Sequence, residues 1–240
     1  MMLPLVLVLL ASGHVTFASL TIGSFNIQRL SDGKVSDHAV LSRIVQILLR
    51  FDIAVIEEAL HTDAVHVVLT ELNKHGHPYS LSISPAMGRS SYKEHLAVLY
   101  RSDLVSVRGT DLYPDSGDHF EREPYTVLFH TTHASVTTFA VMGVHLRPDG
   151  VVDEMNRLVD AADHAMSTLH THNLMITGDF NADCRYLSNT AYEHSALKTD
   201  GSLKAACHGA MVYNFETAMH LTNEQALAVS DHYPIQVQVV

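Results

Sequence analysis

Residues 20–58 read LTIGSFNIQRLSDGKVSDHAVLSRIVQILLRFDIAVIEE, and this stretch decides the fold. Residues 20–27 (LTIGSFNI) have strand character. Ser36 then precedes Val40, Leu41, Ile44, Ile47 and Leu48, which recur as one face of an amphipathic helix. Residues 53–56 (IAVI) form a short buried strand that runs straight into Glu57 and Glu58. The unit is strand, helix, strand, with polar residues at the strand ends. It continues outward: residues 64–74 read as a helix stopped by Gly76. Between Tyr79 and His145 the runs HLAVLYR, LVSVRG, YTVLFHT and VTTFAVMGVHL are four strands separated by turn-rich pieces such as YPDSGD. Val152, Met155, Leu158, Val159, Ala162, Met166 and Leu169 share one helical face, with Asp153 and Glu154 near its positive N-terminal end. LMIT at 174–177 returns as a strand. Helices interleaved with this many strands imply an α/β or α+β layered fold with helices covering sheets.

The chain has 240 residues, 47% hydrophobic and 17% charged, and no Pro/Gly/Ser-rich linker or shift in composition divides it. Disorder, collagen and coiled coil are excluded, and residues 19–240 read as one domain. Fifteen Lys and Arg against 26 Asp and Glu leave a net charge of −11. Attraction to a polyanion therefore cannot come from the overall field, and metal or a local basic patch must supply it. The apolar run at 3–11 (LPLVLVLLA) is far short of the roughly 20 residues that span a bilayer. It reads as the core of a signal peptide over residues 1–18, with Thr16 and Ala18 before the cut, which predicts a secreted protein without a membrane span. Cys184 and Cys207 are the only cysteines, so at most one internal disulfide is available and no zinc-finger pattern exists.

The chemistry gathers at strand ends. Asn26, Glu57 with Glu58, His145, and Asp179 with Asn181 each follow an apolar run, while Asp231 and His232 precede the last one, PIQVQVV. Taken singly, each reads equally well as a turn former or polar surface. Brought to one rim by neighbouring strands, they supply the oxygen donors a hard cation such as Mg²⁺ or Ca²⁺ requires.

The stretches SFNIQRLSD, GRSSYKEHLAVLYR, DHFEREPYTVLF, GDFNADCRYLS and ALAVSDHYPIQV resemble the secreted deoxyribonuclease I family, within the endonuclease/exonuclease/phosphatase superfamily. GDFN and SDH are shared across the superfamily; YKE, FEREP and SDHYP point to the family itself. The resemblance implies a four-layer sandwich of two mixed β-sheets flanked by helices. It also implies Mg²⁺- and Ca²⁺-assisted hydrolysis of DNA to 5′-phosphate and 3′-hydroxyl ends, by a monomer. Actin enters as a partner by resemblance alone. Residue by residue, Glu58 matches a metal-binding glutamate, and Asn26, Asp179 and Asp231 complete the metal rim. His145 and His232 match the two catalytic histidines, with Glu94 of YKE as the acid paired with His232. Asn181, Arg122 and Tyr92 match phosphate or DNA contacts, Arg122 reading alternatively as a buried ion pair and Tyr92 as aromatic packing.

Departures accompany the matches. Glu57 stands where the family has Gln, and Leu60 where an arginine enters the minor groove. Between Asp200 and Gly201 the family carries a few dozen further residues that this chain lacks. These include a Cys-Ala-Tyr-Asp-Arg-Ile motif whose Asp is expected to back the histidine matching His145, a core strand, and the disulfide partner of the cysteine that Cys184 resembles. A Cys184–Cys207 bridge is compatible with the sequence without being implied. Besides an active nuclease, the sequence admits a noncatalytic or truncated relative that binds DNA or a protein, and a phosphodiesterase of the same superfamily.

Overall fold

A computed structural model describes residues 19–182 and 207–240. Strands β1 (Leu20–Leu30), β2 (Ile53–Ala59), β3 (Tyr79–Ile83), β4 (His95–Arg101), β9 (Cys207–Val212) and β10 (Ile235–Val239) form a six-stranded sheet in the order β3-β4-β2-β1-β10-β9. A second sheet holds β5 (Val105–Leu112), β6 (Tyr125–Thr131), β7 (Thr138–His145) and β8 (Leu174–Asp179) in that order. Both sheets are mixed: β1 with β2 and β7 with β8 run parallel, and the remaining neighbours antiparallel.

Alternation along the strands builds the layers. Leu20, Ile22, Ile53, Val55, Leu96 and Val98 of the first sheet pack against Tyr125, Val127, Phe129, Phe139 and Val141 of the second. The opposite faces meet helices. Phe25, Ile27, Ala54, Ile56, Ala97 and Leu99 lie under α2 (His38–Leu48), α3 (Thr62–Leu72), α5 (Phe215–Ala218) and α6 (Asn223–Val229). Met142 and Val144 lie under α4 (Val151–Thr168), through Val151, Met155, Leu158 and Ala161. Burial on both faces explains the unbroken apolar runs read from the sequence. The architecture is the expected sandwich of two mixed sheets between helical layers.

The sequence reading missed several elements. β3 (YSLSI) breaks its apolar run with two serines, and β9 is an edge strand with five of six residues exposed. A one-turn helix, α1 (Asp32–Ser36), capped by Ser31, interrupts the link from β1 to α2. Among the described residues the second sheet stops at β8. Residues 1–18, Cys184, and the junction of Asp200 with Gly201 lie outside the described residues.

Candidate active site

Strand parity aims the polar residues before any side chain contact does. Positions 20 and 22 of β1, 53 and 55 of β2, and 139 and 141 of β7 face between the sheets. Continuing each alternation puts Asn26, Glu57 and His145 on the same inner side, all at the C-terminal ends of their strands. Asn26 sits in register with Glu57, and His145 with Asp179. Glu58 would face outward by the same count. A bulge corrects this: the registers of β1 with β2 and of β2 with β4 both slip here, and Gln28, Arg29 and Glu58 all take left-handed backbone angles, φ 49°, 62° and 56°. Non-glycine residues held there store strain of order 1 kcal/mol or more, sustained by surrounding bonds. Those bonds are present: Gln28 N–H donates to Asn26 Oδ1 at 2.8 Å and Arg29 N–H to Glu58 Oε2 at 3.0 Å. Gly178 permits the close approach of β8, since at φ 149° a Cβ would lie 1.9 Å from the Val144 carbonyl oxygen.

Asp179 Oδ2 is the meeting point. The Asn26 side-chain amide donates to it at 3.0 Å and also to Glu58 Oε1 at 3.1 Å. His145 Nε2 lies 3.8 Å from that oxygen and His232 Nδ1 lies 3.7 Å from it. The other oxygen, Asp179 Oδ1, accepts from Asn181 N–H, while the Asn181 side-chain amide donates to Leu146 O at 2.8 Å. Tyr92 O–H donates to Glu58 Oε2 at 3.3 Å. Burial, then Glu58 and Glu94, push its phenol above the usual range, so it remains a donor. Asn26, Glu58, Asp179, His145 and His232 are thus brought together as expected.

Two expectations are corrected. Glu94, backbone-paired to Met87 on the approach to β4, reaches across the sheets to His145, not to His232: Oε1 lies 2.6 Å from His145 Nδ1, and both side chains are buried. His145 therefore keeps a carboxylate, contrary to the expectation that its partner left with the missing segment. Arg122 does not present itself to solvent. Its Nε donates to His145 O at 2.9 Å and lies 3.4 Å from Glu94 Oε1, with a side chain only 10% exposed, so the buried ion pair is the role it fills. Asp231 Oδ1 lies 3.4 Å from His232 Nε2.

Glu154 carries no signal in the sequence beyond that of a helix-start acid. It is fully buried and accepts from Glu121 N–H at 2.8 Å and Arg147 N–H at 2.7 Å, bracing the segments that carry Arg122 and His145. Burial raises its carboxyl above the ordinary range, against the pull of those two N–H groups. Glu57 is also fully buried. It accepts from Ser24 O–H at 2.5 Å and leaves Oε2 unpartnered; burial first, then Asp179 and Glu94, hold its carboxyl well above the usual value.

A sequence profile for the Endonuclease/Exonuclease/phosphatase family matches residues 23–203. Deoxyribonuclease-1-like 1 of Bos taurus is 34% identical over 269 positions, covering 98% of this chain and 84% of the relative. Deoxyribonuclease-1 of Gallus gallus is 32% identical, with 97% of each covered. This chain belongs to the deoxyribonuclease I family. The Bos taurus alignment is longer than the 240 residues of this chain, so that relative carries residues with no counterpart here. A family protein from Leptotrichia buccalis shares the fold, with a TM-score of 0.60 at 17% identity over 92% of this chain and 99% of its own. Among the described residues, Glu94 with His145 is a buried carboxylate–imidazole pair.

Proposed function

We propose that this chain is a secreted endonuclease that hydrolyses DNA phosphodiester bonds with Mg²⁺ and Ca²⁺, leaving 5′-phosphate and 3′-hydroxyl ends. The observation that carries the reading is the buried Glu94–His145 pair turned toward Asp179, with His232 approaching the same Asp179 oxygen from the other sheet. A carboxylate on Nδ1 fixes the imidazole tautomer and leaves Nε2 free to take a proton in the cleft. In this reading His145 accepts the proton of the attacking water and His232 supplies one to the leaving 3′ oxygen; proton transfers of this kind contribute typically 10²- to 10⁴-fold. Asn181 and Tyr92 orient the phosphate, and Arg122 supplies the buried cation beside Glu94, behind His145.

The donor set fits a hard cation. One Asn26 amide spans Glu58 and Asp179, which places two carboxylates within reach of a single small ligand, and every donor there is oxygen once that amide turns. Among the described residues no group of three or more His, Cys, Asp or Glu side chains is arranged to hold a metal ion by itself. One or two carboxylates plus water is the coordination Mg²⁺ accepts. When bound, the cation neutralises phosphate charge that a protein of net charge −11 cannot offset with its own field.

Secretion rests on the apolar run at 3–11, and no described helix is long and apolar enough to cross a membrane. The deciding experiment is digestion of supercoiled plasmid with Mg²⁺ and Ca²⁺, with and without excess EDTA, followed by end labelling. Nicking that EDTA abolishes, with ends that a ligase rejoins directly, supports the reading. Full activity in EDTA, or no nicking at all, overturns it.

A further inference from the structure

His232 makes no side-chain hydrogen bond among the described residues, yet it approaches Asp179 from a short link between α6 and β10. Something must hold that link. Lys34 of α1 extends beneath the bulged end of β1, where its ammonium donates to Ile27 O at 2.7 Å, Gln28 O at 2.6 Å and Val229 O at 2.8 Å. An ammonium has three N–H donors, and here all three are spent on backbone carbonyls. A role as a contact for substrate phosphate is therefore closed to it. The acceptors come from two segments far apart in sequence. Ile27 and Gln28 flank the strained turn after Asn26, and Val229 is the last residue of α6, where carbonyls lack intrahelical donors and the macrodipole favours a cation. Ser230 completes the joint from the other side: its O–H donates to Asn26 O at 2.7 Å, and it accepts from His232 N–H at 2.9 Å.

We infer that Lys34 is a positioning residue, which with Ser230 clasps the His232 link onto the bulged end of β1 and so sets where His232 stands relative to Asn26 and Asp179. The inference rests on the proposed hydrolysis only in supposing that His232 takes part in it. The clasp does through the backbone for His232 what Glu94 does through a side chain for His145. Glu58 and Asp231 carry the charges that bear on the ammonium, opposing the effect of its burial.

The test is Lys34→Met, which keeps the length of the stem and removes the three donors, measured beside Lys74→Met as a surface control. Imidazole resonances of ¹³C-histidine protein are read, with His232 and His145 assigned from His232→Gln and His145→Gln. Lys34→Met is expected to shift or broaden the His232 ring signals, leave those of His145 in place, and lower kcat about 10- to 100-fold with KM within about twofold. If Lys34→Met does not fold, Ser230→Ala reads the same joint and is expected to give the same pattern more weakly. Unmoved His232 signals in a folded variant overturn the inference, as does equal movement at His145 or a rise in KM with kcat preserved. If the parent protein cleaves no DNA, the proposed function fails while the His232 shift still decides the clasp.

Discussion

His145 and His232 face the same oxygen of Asp179 from different sheets, and they are held in opposite ways. His145 ends an interior strand, is 7% exposed, and has Glu94 on Nδ1 at 2.6 Å with Arg122 behind it. His232 is 38% exposed, stands in the link that leads into β10 of the other sheet, and has no carboxylate nearer than 3.4 Å among the described residues. One ring has its tautomer and orientation fixed before substrate arrives. The other is placed by its backbone and leaves its ring to be oriented by what binds. The resemblance assigned one acid to each histidine; among the described residues Glu94 serves His145, and no carboxylate hydrogen-bonds the His232 ring.

The contrast is sharpest in the single alanine variants. We expect His145→Ala to lower turnover about 10³- to 10⁴-fold and His232→Ala about 10²- to 10³-fold, since a preorganised pair loses more than a loosely held ring. Rates on supercoiled plasmid at saturating metal measure both, and a larger loss at His232 breaks the comparison. Next in size is Glu94→Gln, which keeps the shape and removes the charge. It should cost about 10²-fold alone and less than about threefold when added to His145→Ala, because two groups acting as one unit are not additive. A full independent loss in the double variant would show that Glu94 acts elsewhere. Arg122→Met leaves Glu94 buried without its cation, and removal of one partner of a buried pair costs about 3 kcal/mol or more. Chemical denaturation should show that loss in Arg122→Met, whereas an exposed DNA contact would show almost none.

The sequence revealed which residues belong to the rim, because polar groups ending apolar runs mark strand ends and the superfamily motifs name them. Which acid serves which histidine was not legible. Glu94 and His145 meet only because β4 of one sheet lies across β7 of the other, and sheet-on-sheet packing leaves no trace in local spacing. The turn that aims Glu58 was equally silent: Gln28, Arg29 and Glu58 adopt left-handed angles without the Gly or Asn that usually signals them. Lys34 sits in the polar run DGKVSD and reads as a solvated charge. Its three acceptors are contributed by a strand end and by a helix almost two hundred residues away.

The smallest effect concerns Glu57, which lies between the two halves of the site. Fully buried, with one oxygen satisfied by Ser24 and the other unpartnered, its carboxyl is held well above the ordinary value by burial and by Asp179 and Glu94. From the usual carboxylate value near 4.5 upward to its raised value, the folded protein keeps the proton that the unfolded chain has released. Stability must therefore fall as pH rises through that window, with a slope of at most about 1.4 kcal/mol per pH unit for one proton. Below the window the group is neutral in both states and contributes no slope. Glu57→Gln replaces it with a neutral side chain of the same shape and removes the titration. The variant should thus gain on its parent as pH rises above about 4.5, over whatever part of that rise the fold keeps the proton, whatever the offset between them at the acid end. Urea unfolding of both proteins across that range reads the difference directly. A difference that stays constant with pH would mean that Glu57 releases its proton as readily in the fold as in the unfolded chain.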